Sequence, residues 1–175
     1  SVTRGSAPQR MSYPPCTMVT VDLDLHPGMR PATRQWFRQA FAAPTAVQSQ
    51  AWEAIASGSD TLVVSPTGSG KTLAAFLWAL DGLFAGPGQG CQVLYISPLR
   101  ALATDVERNL RAPLIGIEQV ALRLGEQPQS ITTAIRTSDT PAAERQRMAR
   151  KPPDILITTP ESLFLLLTSQ AGQFL

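Results

Sequence analysis

The run Ser65-Pro-Thr67-Gly68-Ser69-Gly70-Lys71-Thr72 has the residue types and spacing that a polyphosphate requires. Successive backbone N–H groups in such a turn can face one anion, and the amino terminus of a following helix adds its dipole. Gly68 and Gly70 put no Cβ between the backbone and phosphate oxygens. Lys71 can reach the β- and γ-phosphates as a point charge, and the Thr72 hydroxyl suits Mg²⁺. Composition agrees with that use. Of the 15 basic residues 13 are arginine, so lysine is rare, and one of the two lysines stands at position 71. A phosphate loop takes the compact ammonium rather than the planar guanidinium fork. Ser65 occupies the position where the strict pattern has glycine, while the remainder of the loop is intact.

Such a loop must be held between a strand and a helix. Thr61–Ser65 is a short apolar run with β-branched residues and predicts a buried strand before the loop. Residues 71–85 are apolar almost all round, as in a helix packed between layers. Further strands are predicted at Gln92–Ser97, Ile131–Thr137 and Asp154–Thr159. Helices are predicted at 32–41, from Pro44-Thr45 to Gly58, at 100–111, 113–123 and 141–150, and from Glu161 onward. Alternating strands and helices give an α/β fold with a parallel sheet covered on both faces. Residues 1–25 read as a tail, with a weak strand candidate at Val19–Leu25, and 26–175 as one folded unit. In that fold Arg100, Asp139 and Thr159 follow strands and line the carboxyl edge of the sheet, where open α/β sheets bind ligands.

Charge and composition narrow the classes further. Hydrophobic residues make up 43% and the net charge is +2, which excludes a disordered chain and an overtly basic coat, though not a local basic groove. The basic cluster Arg145, Arg147, Arg150 and Lys151 reads as a solvated helix face. Cys16 and Cys91 match no metal-ligand spacing and suit a reduced, cytoplasmic protein. No apolar run reaches the ~20 residues of a membrane span. Trp36, Phe37 and Phe41 read as core residues before they read as platforms for a base.

Pro44-Thr-Ala-Val-Gln48, the phosphate loop, Ser97-Pro98-Leu99-Arg100-Ala-Leu-Ala103 and Thr158-Thr159-Pro160-Glu161-Ser-Leu163 follow one another in an informative order. In order and spacing they resemble the Q-motif and motifs I, Ia and Ib of superfamily 2 helicases. Together with Arg136-Thr-Ser-Asp139-Thr-Pro141 they look like the bacterial large helicase-related (Lhr) branch, over roughly residues 26–170. The resemblance implies a RecA-like P-loop NTPase fold, a three-layer sandwich with a mainly parallel sheet that stops before the Walker B strand. Residues 26–175 would then be part of the first RecA-like helicase domain.

The resemblance also implies ATP and Mg²⁺ as ligands. Gln48, Thr67, Gly68, Ser69, Gly70, Lys71 and Thr72 would bind the nucleotide, with Thr72 on the metal and Lys71 as the catalytic cation. The Gln48 carboxamide has the donors and acceptor to pair with adenine. Pro98, Leu99, Arg100, Asp139, Thr159, Pro160 and Glu161 would track a nucleic-acid backbone. The family pattern has glycine where Ser138 stands. Single-stranded DNA, or a DNA/RNA hybrid duplex, is the implied partner, with 3′-to-5′ movement. A second RecA-like domain and the acidic pair that serves the metal would come from the rest of the polypeptide. Two rival readings are a non-catalytic nucleotide- or nucleic-acid-binding module and a phosphotransferase acting on a small molecule.

Overall fold

The computed structural model describes residues 25–86, 88 and 90–169. The tail, most of the Val19–Leu25 strand candidate and Cys16 lie outside the described residues. The fold is organised around Ile155–Thr158 (β3), whose four residues are all buried. Val93–Ile96 (β1) and Thr133–Arg136 (β2) pair with it in parallel on either side, giving the order β1-β3-β2. The register sets Ile96 and Arg136 level with Thr158, so the three carboxyl ends share one edge. Beyond that edge the Ser97 N–H donates to the Thr158 carbonyl at 2.8 Å and carries the ladder one step further.

Side-chain alternation along β3 divides the molecule into layers. Ile155 and Ile157 pack with Phe76, Leu80 and Leu83 of α3 (Lys71–Ala85) and with Ala103, Val106 and Leu110 of α4 (Arg100–Arg123). Leu156 faces the other way, against Met148 of α5 (Ala142–Arg150) and Leu166 of α6 (Pro160–Leu167). This is the three-layer arrangement implied by the resemblance. A second core joins Phe37 of α1 (Pro31–Ala40) and Trp52 of α2 (Ala46–Ala56) to Leu77, Ile117 and Val120. The Trp52 indole is fully buried, and its Nε1–H donates to the Ala74 carbonyl at 2.9 Å, so the ring enters the core without an unpaired donor. Burying a side chain of this kind contributes about 1.5–3 kcal/mol.

Phe41, read as a core residue, is instead 42% exposed at the end of α1. Two further expectations are corrected. The stretches 100–111 and 113–123 form one helix of 24 residues that runs through Pro113. Proline there removes one backbone donor and ordinarily kinks a helix. Here Pro113 is itself buried, and Val106, Leu110, Ile117 and Val120 hold both halves against the core. Close helix packing also constrains Gly116, where an added Cβ would lie 2.1 Å from Nε1 of Trp36 on α1.

The second correction concerns Thr61–Ser65, which is neither a strand nor buried. The segment joins no ladder, and Leu62 and Val64 are 88% and 83% exposed. Apolar, β-branched composition favours a pleated, half-buried surface only where neighbours supply one. Here β1, rather than this run, borders β3.

Candidate nucleotide site and nucleic-acid edge

The phosphate loop reaches α3 through two glycines in the left-handed region, Gly68 at φ +81° and Gly70 at φ +86°. Gly70 caps α3 without a side-chain hydrogen bond. The first bond from helix to loop is Ala74 N–H to the Gly70 carbonyl, at 2.9 Å. The amides of residues 71–73 are therefore orphan donors of a helix amino terminus, the arrangement that favours an anion. Thr72 is exposed beside them.

Within this loop the Lys71 ammonium is turned back, donating to the carbonyls of Ser65 at 2.6 Å and Pro66 at 2.7 Å. Ser65 and Ser69 hydroxyls meet at 2.5 Å and close the loop across its mouth. The serine that replaces glycine at position 65 thus has a structural use. Thr67 and Gly68 are exposed at the tip.

A second element is stitched to the loop. Thr45 caps α2 in a reciprocal box, its hydroxyl accepting from Gln48 N–H at 3.3 Å while its own N–H donates to Gln48 Oε1 at 2.9 Å. The same hydroxyl donates to the Ser69 carbonyl at 3.0 Å, and Gln48 Nε2 donates to the Gly70 carbonyl at 3.4 Å. Gln48 is 4% exposed and its carboxamide is engaged at both ends, so reading adenine requires it to leave one of these partners. A Cβ at Gly70 would sit 2.5 Å from Gln48 Nε2 and push that side chain aside, so its φ is the stronger demand for glycine. Thr45 was not among the expected site residues. The Thr-x-x-Gln spacing of a capping box is the signal that identifies it.

The expected strand-tracking residues gather at the carboxyl edge of the sheet. Arg100 opens α4 after β1, Asp139 lies in the turn after β2, and the two form an ion pair although they are far apart in sequence. Their side chains stay 58% and 68% exposed, which leaves the pair open to exchange. Pro98 and Leu99 are exposed just before Arg100. Pro160 and Glu161 are exposed in the first turn of α6, whereas Thr159 is buried and donates to Ser162 Oγ at 3.2 Å. Ser138 adopts no positive φ, so this turn does not need glycine. The turn is held by Thr137 N–H donating to Thr140 Oγ1 at 2.9 Å and by Arg145 Nε donating to the Thr140 carbonyl at 2.8 Å. Arg147, Arg150 and Lys151 are exposed, as expected of a solvated face.

Metal-binding carboxylates do not cluster here. Among the described residues there is no group of three or more His, Cys, Asp or Glu placed to hold a metal ion. Asp154, at the amino end of β3, instead accepts from Thr132 N–H and Oγ1, each at 2.7 Å. Nor is any helix among the described residues long and apolar enough to cross a membrane.

Comparison with known proteins places this geometry in context. The pattern of the DEAD/DEAH box helicases matches residues 45–174. An Lhr helicase of Mycolicibacterium smegmatis is 62% identical over 146 residues, covering 82% of this chain and 10% of that protein. The Lhr helicase/uracil glycosylase of Escherichia coli is 54% identical over 154 residues, covering 83% of this chain and 10% of its own length. The chain therefore spans about a tenth of the length of these two relatives. A solved structure of the Mycobacterium smegmatis helicase Lhr bound to single-stranded DNA and AMP-PNP superposes with a TM-score of 0.80 at 60% identity. It covers 83% of this chain and 19% of that one.

Proposed function

The chain belongs to the DEAD/DEAH box helicase family, and from that premise we propose that it supplies the ATP-binding half of an ATP-dependent DNA-translocating enzyme. The observation that carries this reading is the Lys71 ammonium resting on two loop carbonyls beside an open helix amino terminus. A triphosphate offers that ammonium better acceptors than neutral carbonyls. Lys71 then releases Ser65 and Pro66 and turns to the phosphates, while Thr67, Gly68, Ser69 and Gly70 present backbone to them. Gln48 exchanges a loop partner for the adenine edge. The exposed Thr72 hydroxyl fits a Mg²⁺ ligand, and the ion when bound neutralises charge on the phosphate oxygens.

At the sheet edge Arg100 exchanges Asp139 for a strand phosphate, with Pro98, Leu99, Thr159, Pro160 and Glu161 beside the path. The relative bound to single-stranded DNA supports a single strand as the partner; movement 3′ to 5′ and a DNA/RNA hybrid as the alternative duplex follow from the family resemblance. Such work belongs in the cytoplasm, where ATP and DNA meet. The two Lhr relatives are about ten times the length of this chain, and we assign hydrolysis to such a longer protein and binding to these residues.

Lys71→Ala in the full-length protein tests the reading. Strand-stimulated ATP turnover should fall at least about 10²–10³-fold, the scale of losing one charge-stabilising donor, with thermal unfolding unchanged. Undiminished turnover overturns it. Turnover that ignores DNA and follows a soluble acceptor identifies a phosphotransferase instead.

A further inference from the structure

A groove of about 340 Å³ lies between the carboxyl end of β2 and α5, lined by Arg136, Ala142, Arg145, Gln146 and Ala149. Arg136 is 8% exposed, and its Nη1 has no hydrogen-bond partner among the described residues. A buried guanidinium nitrogen without an acceptor is costly, because desolvation is not offset by a bond. The second cation makes the position worse. Burial and the Arg145 charge both push the Arg136 pKa down. No carboxylate is among the residues that line the groove. Two arginines that line one groove, one of them with a buried nitrogen lacking an acceptor, call for an anion, and planar guanidinium forks match phosphate oxygens.

The position of the groove selects the anion. Arg136 is the last residue of β2, level with Thr158, and its carbonyl accepts from the Thr158 hydroxyl at 2.7 Å. It thus stands at the same sheet edge as Arg100. Arg145 spends its Nε–H on the Thr140 carbonyl, which anchors the turn that carries Asp139, while Arg100 pairs with Asp139 itself. One short turn is therefore flanked by a cation on each side. A nucleic-acid backbone repeats its charge along its length and can occupy both positions. We propose that Arg136 and Arg145 seat a phosphodiester group of the bound strand, a second phosphate station beyond Arg100. This rests on the strand-binding reading above.

The test uses full-length protein carrying Arg136→Met, with a short labelled single-stranded oligonucleotide titrated across a salt series. Affinity should fall about tenfold, the scale of losing a hydrogen bond to a charged group. The slope of log K against log salt should shrink by about 0.7, the value for one phosphate on a single strand. In parallel, a single uncharged methylphosphonate is walked along the oligonucleotide. One position should weaken wild-type binding and have no further effect on the variant. If Arg136→Met does not fold, Arg136→Lys replaces it, and the penalty at that position should shrink. An unchanged slope together with an unchanged methylphosphonate penalty overturns the proposal. So does a loss of thermal stability without any change in slope, which would make Arg136 a structural residue. Failure of the wild-type protein to bind the oligonucleotide at all would instead refute the underlying strand-binding reading.

Discussion

Ile155–Thr158 and Thr61–Ser65 are both short apolar runs rich in β-branched residues, yet the first is fully buried and the second leaves Leu62 and Val64 88% and 83% exposed. β3 has a parallel neighbour on each side and a helical layer on each face. The run before the phosphate loop has none of these, and the loop beyond it is held by side chains. Thr45 reaches Ser69, Gln48 reaches Gly70, and Lys71 reaches Ser65 and Pro66. The sheet and its helices are therefore fixed by a cooperative ladder and core. The phosphate loop is fixed by individual polar bonds, each suited to being exchanged for a ligand.

The contrast is open to direct test. Ile157→Ala in this chain should cost about 2–5 kcal/mol in a denaturant melt, whereas Val64→Ala should stay within about 0.5 kcal/mol. Equal costs would mean that the run at 61–65 is buried in solution. Hydrogen exchange should separate the same regions, with β3 amides protected and those of 61–65 exchanging freely. Protection of 61–65 in the full-length protein alone would show that a further part of the polypeptide covers it.

A smaller effect is expected from Thr45→Val, which removes the cap of α2 and the tie to Ser69. It should cost about 1 kcal/mol and speed exchange in residues 65–70 while leaving β3 unchanged. Equal acceleration in both regions would deny that the loop is held separately. The smallest effect concerns Cys91, which donates to the Val93 carbonyl at 3.4 Å. Burial pushes its thiol pKa up, so the thiolate is scarcer at neutral pH than for an ordinary cysteine. The stabilisation of the neutral thiol is complete below the ordinary thiol range and is lost as pH rises through the raised value. Alkylation of the native chain should be slow at neutral pH, and an ordinary cysteine rate would place Cys91 outside the sheet's protection.

Much of this division was legible in the sequence. The glycines and Lys71 announced the loop, and strand–helix alternation announced the layers, because both depend on local residue types. The status of Thr61–Ser65 was legible only in part: its own composition read as a buried strand, while the family resemblance implied that its neighbours come from a later part of the polypeptide, which its exposed Leu62 and Val64 fit. Pro113 misled for a related reason. Its local preference is to break a helix, and burial on both sides overrode it. The Arg100–Asp139 pair and the Arg136 groove join residues distant in sequence, so only the folded sheet edge brings them together.

The strand order has a consequence in time. Among the three described strands β3 lies in the middle and is the last to be made, so β1 leaves the ribosome before this partner exists. Roughly sixty residues separate the end of β1 from the end of β3, which at ~5–20 residues per second amounts to several seconds of synthesis. During that interval β1 and then β2 wait with open edges, and the nascent chain is most exposed to misassociation just before Ile155 emerges.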